Sequence, residues 1–271
     1  MSRLNKALDR IKTKGVVEHQ RVQPVRSHRR DRALNGIKVE DPLAKSIRTI
    51  DIPAETLNNS HLISELIDPT VRTSYKMLRT RILQIMQTNN WQSIAVTSAS
   101  QGDGKTVTAI NLAISLAGDV NHNVCLVDLD LRHSSIARYL DIDTDVGISD
   151  CLKNNVPVEQ VLVRPDIDRL VFLPNAHWET HSSELLSSPK MHLMSERLSA
   201  APSRIIIYDK PPILAADDLL AFKDNTDAIL FVVSEGVTSR MDALRARELM
   251  EDLNVVGTVL NRSDEKTASY Y

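Results

Sequence analysis

Apolar positions along the chain fall into two recurring patterns, and their alternation predicts the architecture. Short continuous runs of β-type residues occur at Ile94–Val96, Val124–Val127, Leu170–Leu173, Ile205–Tyr208, Ala228–Val233 and Val256–Leu260. Apolarity that is continuous rather than alternating belongs to strands covered on both faces, as in a parallel sheet. Between the runs the spacing is helical: Val71, Tyr75, Leu78, Ile82 and Ile85 mark an amphipathic helix over residues 70–87, and residues 107–117 form another. The expected fold is α/β, a doubly wound and mostly parallel sheet. Ligands of such sheets sit beyond the strand C-termini, where the polar residues Asp128, Asp130, Asn175, Asp209 and Asn261 fall.

Upstream the pattern changes. Leu4, Leu8 and Ile11 share one side of a short helical segment that fades near Lys14, and residues 15–60 mix Arg, His, Pro and Asn without sustained period. That stretch reads as a linker with room for one docking element. The expected organisation is an arm and linker over residues 1–69, the α/β domain over 70–261 and a mobile, tyrosine-bearing tail over 262–271.

Composition adds two constraints. The net charge of -2 hides an uneven distribution: residues 1–40 carry eleven Lys and Arg against four Asp and Glu, among them Arg26, Arg29, Arg30 and Arg32. Such an arm can approach an anionic membrane or nucleic acid, but a solvated, partly disordered leader is the preferred reading, and no nucleic acid is expected among the partners. Two cysteines, Cys125 and Cys151, are too few for a disulfide framework, and Cys125 lies inside an apolar run, so reduced thiols and a cytoplasmic location are expected. No apolar stretch approaches the ~20 residues of a membrane helix, and the N-terminus lacks a signal-peptide core, so membrane contact is expected only through the surface or a partner.

The chemistry is concentrated in three segments. Ala99-Ser100-Gln101-Gly102-Asp103-Gly104-Lys105-Thr106 stands between an apolar strand and a helical run, where a phosphate-binding loop belongs. Backbone N–H groups of Gly102, Asp103, Gly104 and the following residues through Val107 would cradle phosphates, Lys105 would reach the β- and γ-phosphates, and the Thr106 hydroxyl would ligate Mg²⁺. The second segment, Val124 to Arg132, carries Asp128-Leu129-Asp130 at the exit of a core strand. One carboxylate can hold metal-bound water while the other accepts a proton from an attacking hydroxyl, although Asp-x-Asp alone is as common in surface turns. The third is Ile205-Ile206-Ile207-Tyr208-Asp209-Lys210-Pro211-Pro212, an apolar strand ending in an acid placed like a Walker B metal partner.

Phosphate loop, Asp-x-Asp-x-Arg and Asp-x-Pro-Pro in that order, with a tyrosine-bearing tail, resemble the bacterial tyrosine kinases (BY-kinases) of capsule and exopolysaccharide synthesis. The resemblance covers roughly Thr70 to Tyr271, and the opening Met-Ser-Arg-Leu-Asn-Lys-Ala-Leu is similar to stand-alone members linked to exosortase-associated clusters. It implies a P-loop NTPase fold of the deviant-Walker type, ATP and Mg²⁺ as cofactors, and transfer of the γ-phosphoryl to Tyr270 and Tyr271 of another copy. It implies Lys105, Asp128 and Asp130 as catalytic residues, Asp128 being the base. Thr106, Asp128, Asp130 and Asp209 fall at the metal, and Asn261 touches adenine. It also implies a transmembrane polysaccharide chain-length determinant as activator, and peripheral association with the inner face of the membrane through it.

Three departures stand out. Thr73-x-x-Lys76-x-x-Arg79 replaces the family's Glu-x-x-Arg-x-x-Arg, which removes an acid from the oligomerisation helix. Lys210 replaces Thr, Ser or Leu, and is expected either to point outward or to compete with Mg²⁺ for Asp209. The tail carries only two tyrosines. The rival reading is a septum-positioning or plasmid-partition ATPase, whose second loop lysine is Ser100 here. His177 and His181 have no third metal-ligand partner nearby, so no zinc site is expected. His19, His28 and His61 read as exposed linker residues, and Tyr75 and Tyr139 as core or interface residues rather than substrates.

Overall fold

The computed structural model describes residues 47–64, 67–201 and 203–263. Each strand expected from an apolar run is present, and two shorter ones join them: β1 (Arg48–Ile50), β2 (Ser93–Ser98), β3 (Asn123–Asp128), β4 (Val163–Pro165), β5 (Leu170–Leu173), β6 (Arg204–Asp209), β7 (Ala228–Ser234) and β8 (Val255–Asn261). They form one sheet in the order β1-β4-β5-β3-β6-β2-β7-β8. Neighbours run parallel throughout, except β4 with β5.

Helices cover both faces: α1 (Ala54–Asn59), α2 (Pro69–Asn89), α3 (Lys105–Ala117), α4 (Ile136–Tyr139), α5 (Ile148–Asn154), α6 (Val158–Val161), α7 (Ser182–Leu186), α8 (Pro189–Leu198), α9 (Asp218–Phe222) and α10 (Arg240–Leu249). Strand residues divide alternately between two cores. Ile94, Val96, Val124, Leu126, Ile205 and Ile207 meet Ile82 and Met86 of α2 and the apolar side of α3. Ala95, Cys125, Val127, Ile206 and Tyr208 meet Leu186, Met191, Leu219, Phe222 and Ala246 from α7 to α10. Both cysteines are free and buried.

The long helix α2 starts where Asp68 accepts a hydrogen bond from Thr70 N at 2.7 Å with Pro69 in the first turn, and it ends at Asn90 in the left-handed conformation. It is stapled to α3: Arg79 Nη1 donates to Ser115 O at 2.8 Å, and Ser115 Oγ donates to Tyr75 O at 3.1 Å. A guanidinium on a last-turn carbonyl also complements the helix dipole. Arg79, one of the two basic residues left in the departed oligomerisation motif, is thus engaged within its own chain. No helix among the described residues is long and apolar enough to cross a membrane.

Two expectations need correction. Residues 47–63, read as part of a linker, belong to the folded body: β1 pairs with β4, Ile52 is 8% exposed, and Leu62 is fully buried. A three-residue strand and a short helix with no buried residue give too little period to be seen in sequence. Lys210 neither points outward nor crowds the Asp209 carboxylate. Ile205, Ile207 and then Asp209 continue toward the α3 face, whereas Ile206, Tyr208 and then Lys210 continue toward the opposite face. Lys210 is completely buried there, with Nζ 4.5 Å from the centre of the Phe222 ring and no hydrogen-bond partner.

Burial pushes the Lys210 ammonium down to about 7, against the pull of Asp218, Asp130 and Asp209. A lysine depressed in the folded state binds fewer protons there than in the unfolded chain. Stability therefore rises with pH from about 7 toward the ordinary value of 10.5. Replacing Lys210 by Met, of similar shape and uncharged, is expected to stabilise the protein by about 1–3 kcal/mol at pH 7. Thermal unfolding should show a rise of at least about 2 °C at pH 7 that shrinks by pH 10. A fall at pH 7 would show that the buried charge is stabilising.

Candidate functional site

The strand C-termini open onto a cavity of about 890 Å³, lined by the loop before α3, the turns after β3 and β6, the end of β8 and residues 59–61. Its floor is the phosphate loop. β2 is fully buried and ends at Ser98, and the chain passes Gly102 (φ 87°) and Gly104 (φ 89°) before α3 starts at Lys105. Both positive φ values favour glycine. At Gly104 a Cβ would in addition push the Asn261 side-chain amide aside.

Neighbouring strands brace this loop. Asp103 accepts hydrogen bonds from Ser100 N (2.8 Å) and Thr238 Oγ1 (2.7 Å), and Asn261 Nδ2 donates to Asp103 O at 3.0 Å. Asp103, expected among the nucleotide-binding positions, is fully buried, so its carboxylate is a brace and only its backbone is left to face a ligand. Asn261 lines the cavity at the tip of β8, and Val107 lines it from the first turn of α3.

Four of the expected residues form one cluster. Lys105 Nζ donates to Asp130 Oδ2 (2.8 Å) and Thr106 Oγ1 (3.2 Å), and lies 3.6 Å from Asp209 Oδ1. Thr106 Oγ1 donates to Asp209 Oδ2 at 2.7 Å. Burial alone would lower the Lys105 value, but Asp209 and Asp130 hold it above that of an ordinary lysine, and the ammonium stays charged.

Asp128 sits beneath the cluster, fully buried. Its Oδ2 accepts from Ser134 Oγ (2.8 Å) and from the backbone N–H groups of Ser135 and Ile136 (both 3.2 Å). Burial and the facing Asp209 carboxylate push its value up to about 7, while the Ser134 and Ile136 hydrogen bonds and Lys105 pull it back. Asp209 is likewise raised by burial. The donor set fits a magnesium ion. Asp209 Oδ1 is buried without a hydrogen-bond partner, and Asp209 Oδ2 accepts from the Thr106 hydroxyl. Among the described residues no three His, Cys, Asp or Glu converge on one point, so these two residues would hold Mg²⁺ together with phosphate oxygens, the hard oxygen ligands it takes.

Several site residues were not singled out from sequence. Ser134 and Ser135 engage Asp128, and Ser135 Oγ also approaches Thr106 Oγ1 at 3.5 Å. Asn111 clamps residues 61–63, donating to His61 O (3.1 Å) and accepting from Ile63 N (2.7 Å). Its signal was present as one amide in an otherwise apolar helical run. His61, read as a scattered linker histidine, is exposed but lines the cavity. Tyr270 and Tyr271 lie outside the described residues.

A glycine-turned loop between a buried parallel strand and a helix, facing carboxylates on two adjacent strands, defines a P-loop nucleotide-binding α/β domain. Residues 94–270 match the model of the CobQ/CobB/MinD/ParA nucleotide binding domain. The chain is 30% identical over 189 residues to the tyrosine-protein kinase YwqD of Bacillus subtilis, covering 69% of this chain and 79% of that one. It is 27% identical over 215 residues to the tyrosine-protein kinase CpsD of Streptococcus agalactiae, covering 76% of this chain and 91% of the other. The fold is similar to the kinase domain of the Escherichia coli tyrosine kinase ETK, with a TM-score of 0.67 at 21% identity over 83% of this chain and 87% of that one. The chain belongs to the bacterial tyrosine-protein kinases, within the CobQ/CobB/MinD/ParA nucleotide-binding family.

Gly104→Ala tests the loop geometry. Strain at φ 89° and the overlap with Asn261 should weaken nucleotide binding at least about tenfold, read by calorimetry with a non-hydrolysable ATP analogue. Wild-type affinity would show that this conformation is not the binding one.

Proposed function

We propose that the chain is an ATP- and Mg²⁺-dependent tyrosine autokinase whose acceptors are Tyr270 and Tyr271 of another copy. The observation that carries the reading is the Asp128 carboxylate, 2.8 Å from a hydroxyl, Ser134 Oγ, and adjoining the Lys105–Thr106 cluster. Held near neutrality, such a carboxylate suits a general base.

In this reading the loop N–H groups and Lys105 hold the triphosphate, and Lys105 exchanges its bond to Asp130 for phosphate oxygens. Mg²⁺, when bound through Thr106 and Asp209 with Asp130 and Asp128 beside them, neutralises charge on the phosphates. An acceptor phenol takes the position of the Ser134 hydroxyl against Asp128. Its proton passes to Asp128, its oxygen bonds to the γ-phosphorus, the bond from that phosphorus to the β–γ bridging oxygen breaks, and ADP leaves. Asn261 at the tip of β8 stands where adenine would lie.

The relatives are named tyrosine-protein kinases, and the resemblance of the motifs to the capsule and exopolysaccharide kinases supports a role in exopolysaccharide or capsule synthesis. On that reading the chain works at the cytoplasmic face of the membrane, held there by a transmembrane chain-length determinant that activates it. The basic arm of residues 1–40 would favour anionic lipid. A nucleotide-switched ATPase is the second reading, because the matched family also contains MinD and ParA. Ser100 in place of the second loop lysine speaks against it.

Asp128→Asn should bind ATP analogues normally but transfer phosphate at least about 10²-fold more slowly. The wild-type rate should rise with pH through about 7, as the carboxylate loses its proton, and the variant should lack that limb. Unchanged transfer would reassign the base, with Asp130 next in line.

Changing both Tyr270 and Tyr271 to Phe should remove nearly all tyrosine labelling while leaving ATP affinity intact. Mixing a Lys105→Met chain that keeps its tail with an active chain carrying both Phe substitutions should label the inactive chain. Free phosphate without phosphotyrosine from the unaltered protein would favour the ATPase reading instead.

A further inference from the structure

The strand order assigns directions within the cavity. β3 and β8 lie on opposite sides of β2, each separated from it by one strand, so at about 4.8 Å per spacing they stand roughly 19 Å apart. Asn261 and Arg262 close the β8 end, whereas Arg132, His133, Arg138 and Tyr139 close the β3 end together with residues 59–61. The residues suited to the phosphates and metal lie between β2 and β3, so a group receiving phosphate approaches from the β3 end.

That end is a constructed wall. Ser60 Oγ donates to Tyr139 O at 3.0 Å, and Asn111 clamps residues 61–63 onto α3. Arg132 is oriented from behind by Ser182 Oγ at 2.8 Å and faces Asp218 Oδ1 at 3.8 Å. The cavity's lining carboxylate, Asp130, is already paired with Lys105. Arg138 is exposed at the rim beside the Tyr139 ring, 5.9 Å from its centre, and has no acidic partner within 4 Å among the described residues. An uncompensated guanidinium at the mouth of the acceptor end favours carboxylate-bearing segments.

Resting on the kinase reading above, we infer that Arg138 selects acceptor tyrosines carried on acidic segments. This chain supplies such carboxylates as the adjacent pair Asp264 and Glu265, followed by Lys266. Asp264 and Glu265 precede Tyr270 by six and five positions, and an extended chain of six residues spans up to about 21 Å. The two acids can therefore meet the rim while a tyrosine reaches Asp128.

The test uses full chains. The donor carries Tyr270→Phe and Tyr271→Phe. The acceptor carries Lys105→Met with either the native tail or one bearing Asp264→Asn and Glu265→Gln. The KM for the native-tailed acceptor is expected to be roughly three- to tenfold lower than for the neutralised one, as for one or two exposed ion pairs. The difference should disappear in an Arg138→Gln donor, survive in an Arg138→Lys donor, and shrink at about 0.5 M salt. Equal KM values with the unaltered rim, or a difference that Arg138→Gln leaves intact, would overturn the inference while the kinase reading stands. Transfer to neither acceptor would remove the kinase reading and the inference with it.

Discussion

One buried ammonium among three buried carboxylates is the constraint around which the domain is arranged. Asp128 and Asp209 are directly paired in the β3–β6 register, both fully buried, with Asp130 two residues beyond and 3% exposed. Like charges this close in a low-dielectric interior repel strongly, and each is costly to desolvate. Lys105, the first residue of α3, answers them through Asp130 and Asp209. The Thr106 hydroxyl and the Ser134–Ile136 turn satisfy much of what remains. Such a cluster holds together only if β2, β3 and β6 end at the same level and the loop delivers α3 across their tips. The parallel register and the two positive-φ glycines do this. With Lys105 charged and burial raising Asp128 and Asp209, a cation delivered with phosphate would draw these carboxyls toward their ionised form.

Much of this was legible before any coordinates, for a physical reason. Strands buried on both faces need unbroken apolarity, and an acid that interrupts it can stand only at a strand tip, which placed Asp128 and Asp209. The phosphate loop was readable because its function demands particular backbone conformations, hence Gly102 and Gly104. What stayed hidden depends on long-range partners. Asp103 has the same sequence signature as a phosphate-facing residue, but its direction is decided by Thr238, which is 135 positions away. β1 and β4, three residues each, are strands only because they pair with each other and with β5.

Lys210 was ambiguous for a different reason. Alternation predicts that it faces away from Asp209, and it does. An ammonium is nevertheless expected to reach water, and this one is enclosed between the sheet and α9 against Phe222. The same alternation that aims Asp209 at the phosphate loop therefore sends its neighbour into the opposite core. With two prolines following directly at Pro211 and Pro212, the backbone has little freedom to turn the side chain out.

The N-terminal side of the domain determines more than its sequence suggests, because it holds the phosphate-loop helix in place. One side of α3 lies on the sheet; another carries Asn111, bonded to both His61 and Ile63, and Ser115, whose carbonyl binds Arg79. Removing one partner of a buried hydrogen bond costs about 1–3 kcal/mol, so residues 61–63 and α2 fix the helix that fixes Lys105 and Thr106. Residues 59–61 also form part of the cavity wall. Displacement of this segment would therefore act on the phosphate-loop helix and on the cavity wall together. Any contact that recruited Arg79 to another molecule would first have to release the last turn of α3.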